Sequence, residues 1–248
     1  MKIKNYIRNG LTALALAGAL LTVKPEPSNQ PEKYAVLINE SDEQEFSVMA
    51  RRTRENLLKM GFEKNNIYLL NSSGNLENIA SKKNVKKMFS SLEKRIDEND
   101  LLVVYFLGHG NRITIFQDGR PKELSVVVLK NEYIDENEIY NSLSKIHPKI
   151  GIVTTDTCYG RGIAKKIGRG NFIGISSSDE NPALFFENQS FMTEFYDAFK
   201  KEEADANSNG KISIKEAFDY VQTYIGAMSR EITPILISEM DADSVTLE

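Results

Sequence analysis

The chain has 248 residues, 41% hydrophobic and 27% charged, a length and balance that fit one folded domain of ordinary globular composition. Its formal net charge of -4 leaves no basic footprint, which argues against nucleic acid as the main partner. A single cysteine excludes an internal disulfide and a cysteine-rich zinc site, and leaves the redox compartment unread.

Lys2, Lys4 and Arg8 precede an apolar run from Leu11 to Val23. That run suits the core of a signal peptide or N-terminal anchor (residues 1–23) and falls short of the ~20 residues that span a bilayer. Ala17-Gly18-Ala19 offers a small-residue cleavage pattern, and no cysteine follows for lipid attachment. "KPEPSNQPE" (24–32) reads as a proline-rich linker before a folded unit at 33–248. The expectation is export to the periplasm or beyond, with membrane contact only through an uncleaved anchor.

From Lys33 the pattern alternates. "KYAVLIN" is a buried strand; Asp42 to Met60 spaces Phe46, Met49, Ala50, Leu57 and Met60 at helical period; "NIYLL" is a second strand. A helix over Asn84 to Ile96 leads to "DLLVVYFL", apolar enough to be covered on both faces. "RITIFQDGRPKELSVVVL" predicts a hairpin turning at Asp118-Gly119. A helix over Asp135 to Ile146, the strand "KIGIVTTD", a short helix from Gly160 to Ile167 and the strand "NFIGISS" follow. Helices over Ser190 to Glu202 and Ser213 to Met228, then the extended "TPILIS", complete the chain. This alternation predicts an α/β fold: a mostly parallel central sheet in a three-layer sandwich, helices on both faces, and a small hairpin insertion.

Ligands of such sheets bind beyond the carboxyl ends of the strands. "LLVVYFLGHG" ends one buried strand with His109 between two glycines, and "IGIVTTDTC" ends the next major strand with Cys158, 49 residues later. Gly108 lets the backbone turn sharply, and Gly110 can bring an N–H close to a ligand. A thiol at a strand-to-helix turn faces a helix N-terminus, which favours thiolate, and a nearby imidazole can deliver a proton to a leaving amine. A lone cysteine is more often a small buried hydrophobe, and a lone histidine a packing residue. Together, at the ends of neighbouring strands, they point to nucleophilic catalysis. His147, before a proline on a surface connection, reads as structural.

"YFLGHG" and "TTDTCYGRG" resemble the paired motifs of the caspase–hemoglobinase group of cysteine peptidases, nearest to its bacterial legumain-like members. The resemblance runs over most of Lys33 to Ser238. The interval agrees as well, since a caspase-type histidine stands about 50 residues before its cysteine. The resemblance implies a cysteine endopeptidase acting on protein or peptide substrates, with Cys158 as nucleophile and His109 as general acid/base. The N–H groups of Gly110 and Cys158 would form the oxyanion hole. Gly160 stands where relatives often carry serine, which removes a hydroxyl near the thiol. Asp156 would line the pocket for the residue before the cut, with Ser176, Ser177 and Asp179 as another wall. The loop after the first strand, "NESDEQEF", holds only acids, so the expected preference is for arginine or lysine. Catalysis of this kind needs no cofactor.

"DANSNGKISIKE" fits the calcium-loop template from Asp205 through Glu216. Asp205, Asn207, Asn209, the Lys211 carbonyl and a bidentate Glu216 would be the Ca2+ ligands, with Ser213 acting through water. Ser213 and Glu216 also spell a capping box for the last helix, a purely local explanation. Two functions of other classes stay open beside the peptidase: a non-catalytic, calcium-responsive binding module, and a transamidase passing the same acyl group to an amine.

Overall fold

The computed structural model describes residues 30–73, 78–182, 189–228 and 233–247; the N-terminal segment read as signal or anchor lies outside them. The described chain runs β1 (Lys33–Asn39), α1 (Gln44–Lys59), β2 (Ile67–Asn71), α2 (Lys82–Leu92), β3 (Leu101–Leu107), β4 (Gly110–Gln117), β5 (Arg120–Leu129) and β6 (Glu132–Asp135). It continues α3 (Glu136–Leu143), β7 (Ile150–Asp156), α4 (Arg161–Ile167), β8 (Phe172–Ser176), α5 (Phe191–Ala198), α6 (Ile214–Met228) and β9 (Ile235–Ser238).

Six strands form the central sheet in the order β2-β1-β3-β7-β8-β9. The first five are parallel, and β9 closes the edge antiparallel to β8. Alternate side chains of the apolar strands point to opposite faces. Leu37, Tyr105 and Ile152 meet α1, α5 and α6 on one face. Val36, Val104 and Val153 meet α2, α3 and α4 on the other. Burial on both faces is the reason these strands read as continuous apolar runs, and the expected three-layer α/β architecture is the one observed. No described helix is long and apolar enough to cross a membrane.

The hairpin forms a second sheet, β4-β5-β6, turning at Asp118 and Gly119, both with positive φ. It starts at Gly110, directly after His109, two residues earlier than expected, and gains a third strand. Helix ends also differ from expectation. The Ser81 hydroxyl accepts the Asn84 N–H, which starts α2 at Lys82, and the chain turns at Glu93 while Ile96 still packs in the core. Ser190 caps α5 rather than belonging to it, and the helix stops at Ala198 before a separate 3-10 turn, Glu202–Ala204.

Candidate active site

β3 and β7 lie side by side at the sheet centre, with Leu107 opposite Asp156. His109 and Cys158 each follow that pair by two residues, so the register alone brings them to the same level beyond the carboxyl edge. The Gly108 N–H donates to the Asp156 carbonyl at 3.2 Å, extending the ladder one step past the strands. Gly108 has φ of 133°, a value open to glycine. A β-carbon on Gly110 would stand 2.2 Å from the Cys158 carbonyl oxygen. Only glycine lets these two backbones approach so closely.

Cys158 is half-buried in the turn between β7 and α4. Tyr159, next in line, has φ of 58°, a strained value for a bulky residue that its surroundings must enforce. They do so through four hydrogen bonds. The Tyr159 N–H donates to the Asn181 carbonyl at 3.1 Å, and the Ser125 hydroxyl to the Tyr159 carbonyl at 2.7 Å. The Ser178 hydroxyl donates to the Thr157 carbonyl at 2.8 Å and accepts the Gly160 N–H at 3.1 Å. Ser178 therefore braces the cysteine turn from both sides. It is one serine in a run of three, and nothing in the sequence singled it out.

His109 is held from the other direction. Its N–H donates to Glu40 Oε1 at 2.6 Å, and its carbonyl accepts the Val128 N–H at 3.0 Å. Nε2 of the ring lies 3.2 Å from Glu43 Oε1, and the Phe46 ring meets the imidazole edge-on with centroids 5.7 Å apart. Among the described residues the hydrogen-bond partner of the imidazole is thus Glu43, not the thiol. Burial pushes the Glu40 carboxyl above its usual range, opposed by the His109 N–H. Glu40, Asp42, Glu43, Ser72, His109 and Lys130 line a shallow cleft of about 530 Å³. Two of the acids after β1 expected to colour a specificity pocket, Glu40 and Glu43, are engaged with His109 instead.

Asp156 is fully buried, 0% exposed, and its Oδ2 accepts the Tyr105 hydroxyl at 2.8 Å. Burial raises its proton affinity, while the hydroxyls of Ser190, Tyr105 and Ser177 and the Met192 N–H pull the other way. Its Oδ1 and the Ser177 hydroxyl nonetheless fall short of full hydrogen-bond geometry with any partner, as do Asn39 Nδ2 and Thr157 Oγ1. Unsatisfied buried polar atoms thus collect at the ends of β1, β7 and β8. Ser176 is buried behind them, donating to the Ser178 carbonyl at 2.7 Å. Asp179 is half-exposed; burial works against its charge, but hydrogen bonds from Thr233, Asn181 and Glu180 hold its carboxyl below the usual range. His147 is exposed on its connection, apart from this edge.

The stretch Asp205–Glu216 follows the 3-10 turn and runs into the first turn of α6, which carries Glu216, with Gly210 at φ of 81°. Asp205 accepts the N–H groups of Asn209 and Gly210, Asn207 accepts that of Asn209, and Asn209 that of Lys211. Glu216 Oε2 accepts the Ser213 N–H at 2.9 Å and the Ser213 hydroxyl accepts the Glu216 N–H at 3.1 Å, so the capping box is formed. Glu216 Oε1 accepts the Asn207 N–H at 3.1 Å. These bonds, led by the Ser213 N–H, hold the Glu216 carboxyl below its usual range. Among the described residues no group of three or more His, Cys, Asp or Glu could hold a metal ion. The loop has two carboxylates, and its other expected donors are amide and carbonyl oxygens. Each carboxylate oxygen keeps a lone pair beyond its N–H bond, so the donors fit a weakly held, oxygen-seeking cation.

Compared with known proteins, the chain matches no family model and no curated protein.

Proposed function

We propose that this protein is an exported cysteine endopeptidase in which Cys158 and His109 form the catalytic pair. The carrying observation is the Leu107–Asp156 register, which sets both residues two positions past adjacent strands with Gly110 packed on the Cys158 carbonyl. The thiol proton passes to the imidazole, and the thiolate attacks the peptide carbonyl carbon. The resulting oxyanion is stabilised by the N–H groups of Gly110 and Cys158. The C–N bond then breaks as His109 protonates the leaving amine, and water hydrolyses the thioester. A legumain-like membership is part of this reading and rests on the two motifs. Export rests on the basic and apolar pattern of residues 1–23.

A basic residue before the cut is the preferred substrate, supported by Asp156 beneath the site and by Asp42 in the cleft beside it, since Glu40 is engaged with the His109 N–H. A cation entering near Asp156 would favour the ionised carboxylate that burial alone disfavours. The loop at 205–216 takes Ca2+ through Asp205, Asn207, Asn209, the Lys211 carbonyl and Glu216, supplying charge neutralisation there rather than chemistry at the thiol.

Labelling with arginyl and asparaginyl acyloxymethyl-ketone probes tests the main reading. The wild type labels, Cys158→Ala does not, and the arginyl probe reacts faster. Turnover in Cys158→Ala falls by ~10³-fold or more. Absence of Cys158-dependent labelling, with and without calcium, would instead favour a binding module. Best cleavage after asparagine or aspartate would overturn the basic preference, and product ligated to an added amine would identify a transamidase.

A further inference from the structure

Glu43 is the N-cap residue of α1, with extended backbone (φ -66°, ψ 134°), yet its side chain makes no capping hydrogen bond. Serine, threonine, aspartate or asparagine at this place would satisfy an exposed amide of the first turn. The carboxylate is directed elsewhere, to 3.2 Å from His109 Nε2. Three residues on, Phe46 is buried at 3% exposure and sets its ring edge-on to the same imidazole. Glu40 meanwhile fixes the His109 N–H, and its side chain lies across Gly108 within 2.8 Å of where a β-carbon would stand. The start of α1 and the loop before it therefore converge on one histidine. Glu43 and His109 are 60% and 55% exposed, and ion pairs so exposed contribute little to stability. Stability does not account for leaving the cap unfilled.

We propose that Glu43 is the positioning residue of His109. This rests on the peptidase reading above. An ionised carboxylate can only accept, so the imidazole donates through Nε2–H, and the ring is held in the tautomer that leaves the Nδ1 lone pair free. The thiol proton then moves to Nδ1, the S–H bond breaking as N–H forms, and goes on to the leaving amine nitrogen. Glu43 touches neither substrate nor thiol.

Two substitutions separate this role from a structural one. Glu43→Ser is too short to reach the ring but supplies the missing helix cap; Glu43→Gln keeps an acceptor oxygen at full length. Glu43→Ser raises Tm while lowering kcat by ~10- to 100-fold with KM within about 2-fold, and Glu43→Gln stays within about 3-fold of wild type. The chain has two histidines, so nitrogen-15 NMR in a His147→Gln background reads His109 alone. The Nε2–H tautomer dominates with Glu43, and its share falls in Glu43→Ser to that of a free histidine. An unchanged kcat in Glu43→Ser, a rise confined to KM, or identical tautomer populations would overturn the proposal. If wild type lacks Cys158-dependent labelling the peptidase reading fails, while the tautomer measurement still decides whether Glu43 positions the ring.

Discussion

A β-carbon on Gly160 would stand 2.3 Å from the Ser176 hydroxyl oxygen and 2.5 Å from that of Thr155. The hydroxyl that a serine would bring after the Cys-x pair is thus displaced by two hydroxyls from the neighbouring strands, and glycine is the side chain the space admits. Gly160→Ser overpacks a buried site, and a cost of about 1–3 kcal/mol is expected. Urea unfolding checks it; an unchanged midpoint would mean that Ser176 and Thr155 swing aside freely. Asn39, Asp156, Thr157 and Ser177 work at the same scale. Their unsatisfied atoms carry a desolvation cost.

At the scale of elements, α1 and α5 are joined by charge. Asp197 takes hydrogen bonds from Arg52, Asn56 and Lys200, and Arg52 also meets Glu194 at 2.9 Å. Burial opposes the Asp197 charge, but these partners outweigh it and hold the carboxyl below its usual range. A depressed folded-state value means stabilisation that is present above the ordinary carboxylate range and lost as pH falls from there through the lowered folded-state value. Asp197→Asn should cost about 1.5–3 kcal/mol at neutral pH, the range for hydrogen bonds to charged groups. The gap between variant and wild type should shrink at pH 3. Urea curves at both pH values check this, and a gap independent of pH would assign the loss to packing. Because α1 also presents Glu43 and Phe46 to His109, this anchorage steadies the site from behind.

At the scale of the molecule, the C-terminal segment joins the calcium-type loop to the sheet. Ser213 and Thr246 form an antiparallel bridge, the Ile214 N–H donates to the Val245 carbonyl, and Lys33 Nζ donates to the Leu247 carbonyl. Val245 and Leu247 are buried in the same core as α1 and α6. A cation at Glu216 would therefore be felt through α6 and the tail as global stability. With a dissociation constant of ~1 mM, 10 mM calcium adds about 1.4 kcal/mol, roughly 3–5 °C in Tm. Thermal melts with calcium, and with magnesium as control, read this; Glu216→Gln abolishes the shift. No shift and no calorimetric heat would leave Glu216 as a helix cap alone.

The apolar runs, their spacing and the turn residues determined the α/β layering by themselves, because burial on both faces demands continuous apolar strands and period-spaced helices. His109 and Cys158 were legible as candidates for a related reason: each stands two residues past a strand whose identity the pattern makes plain, and their glycine neighbours mark a close approach. The stretch from Asp205 to Glu216 reads as a local motif because its candidate donors lie within twelve residues, and the Ser213–Glu216 capping box is the part of it seen formed. Only the tertiary structure decided which groups hold the pair. Glu40 and Glu43 reach His109 from 69 and 66 residues away in sequence, and Ser178 braces the Cys158 turn across a neighbouring strand. Such contacts depend on strand order and register, which periodicity does not encode. An acid in a loop looks the same in sequence whether it faces a substrate or the back of a histidine.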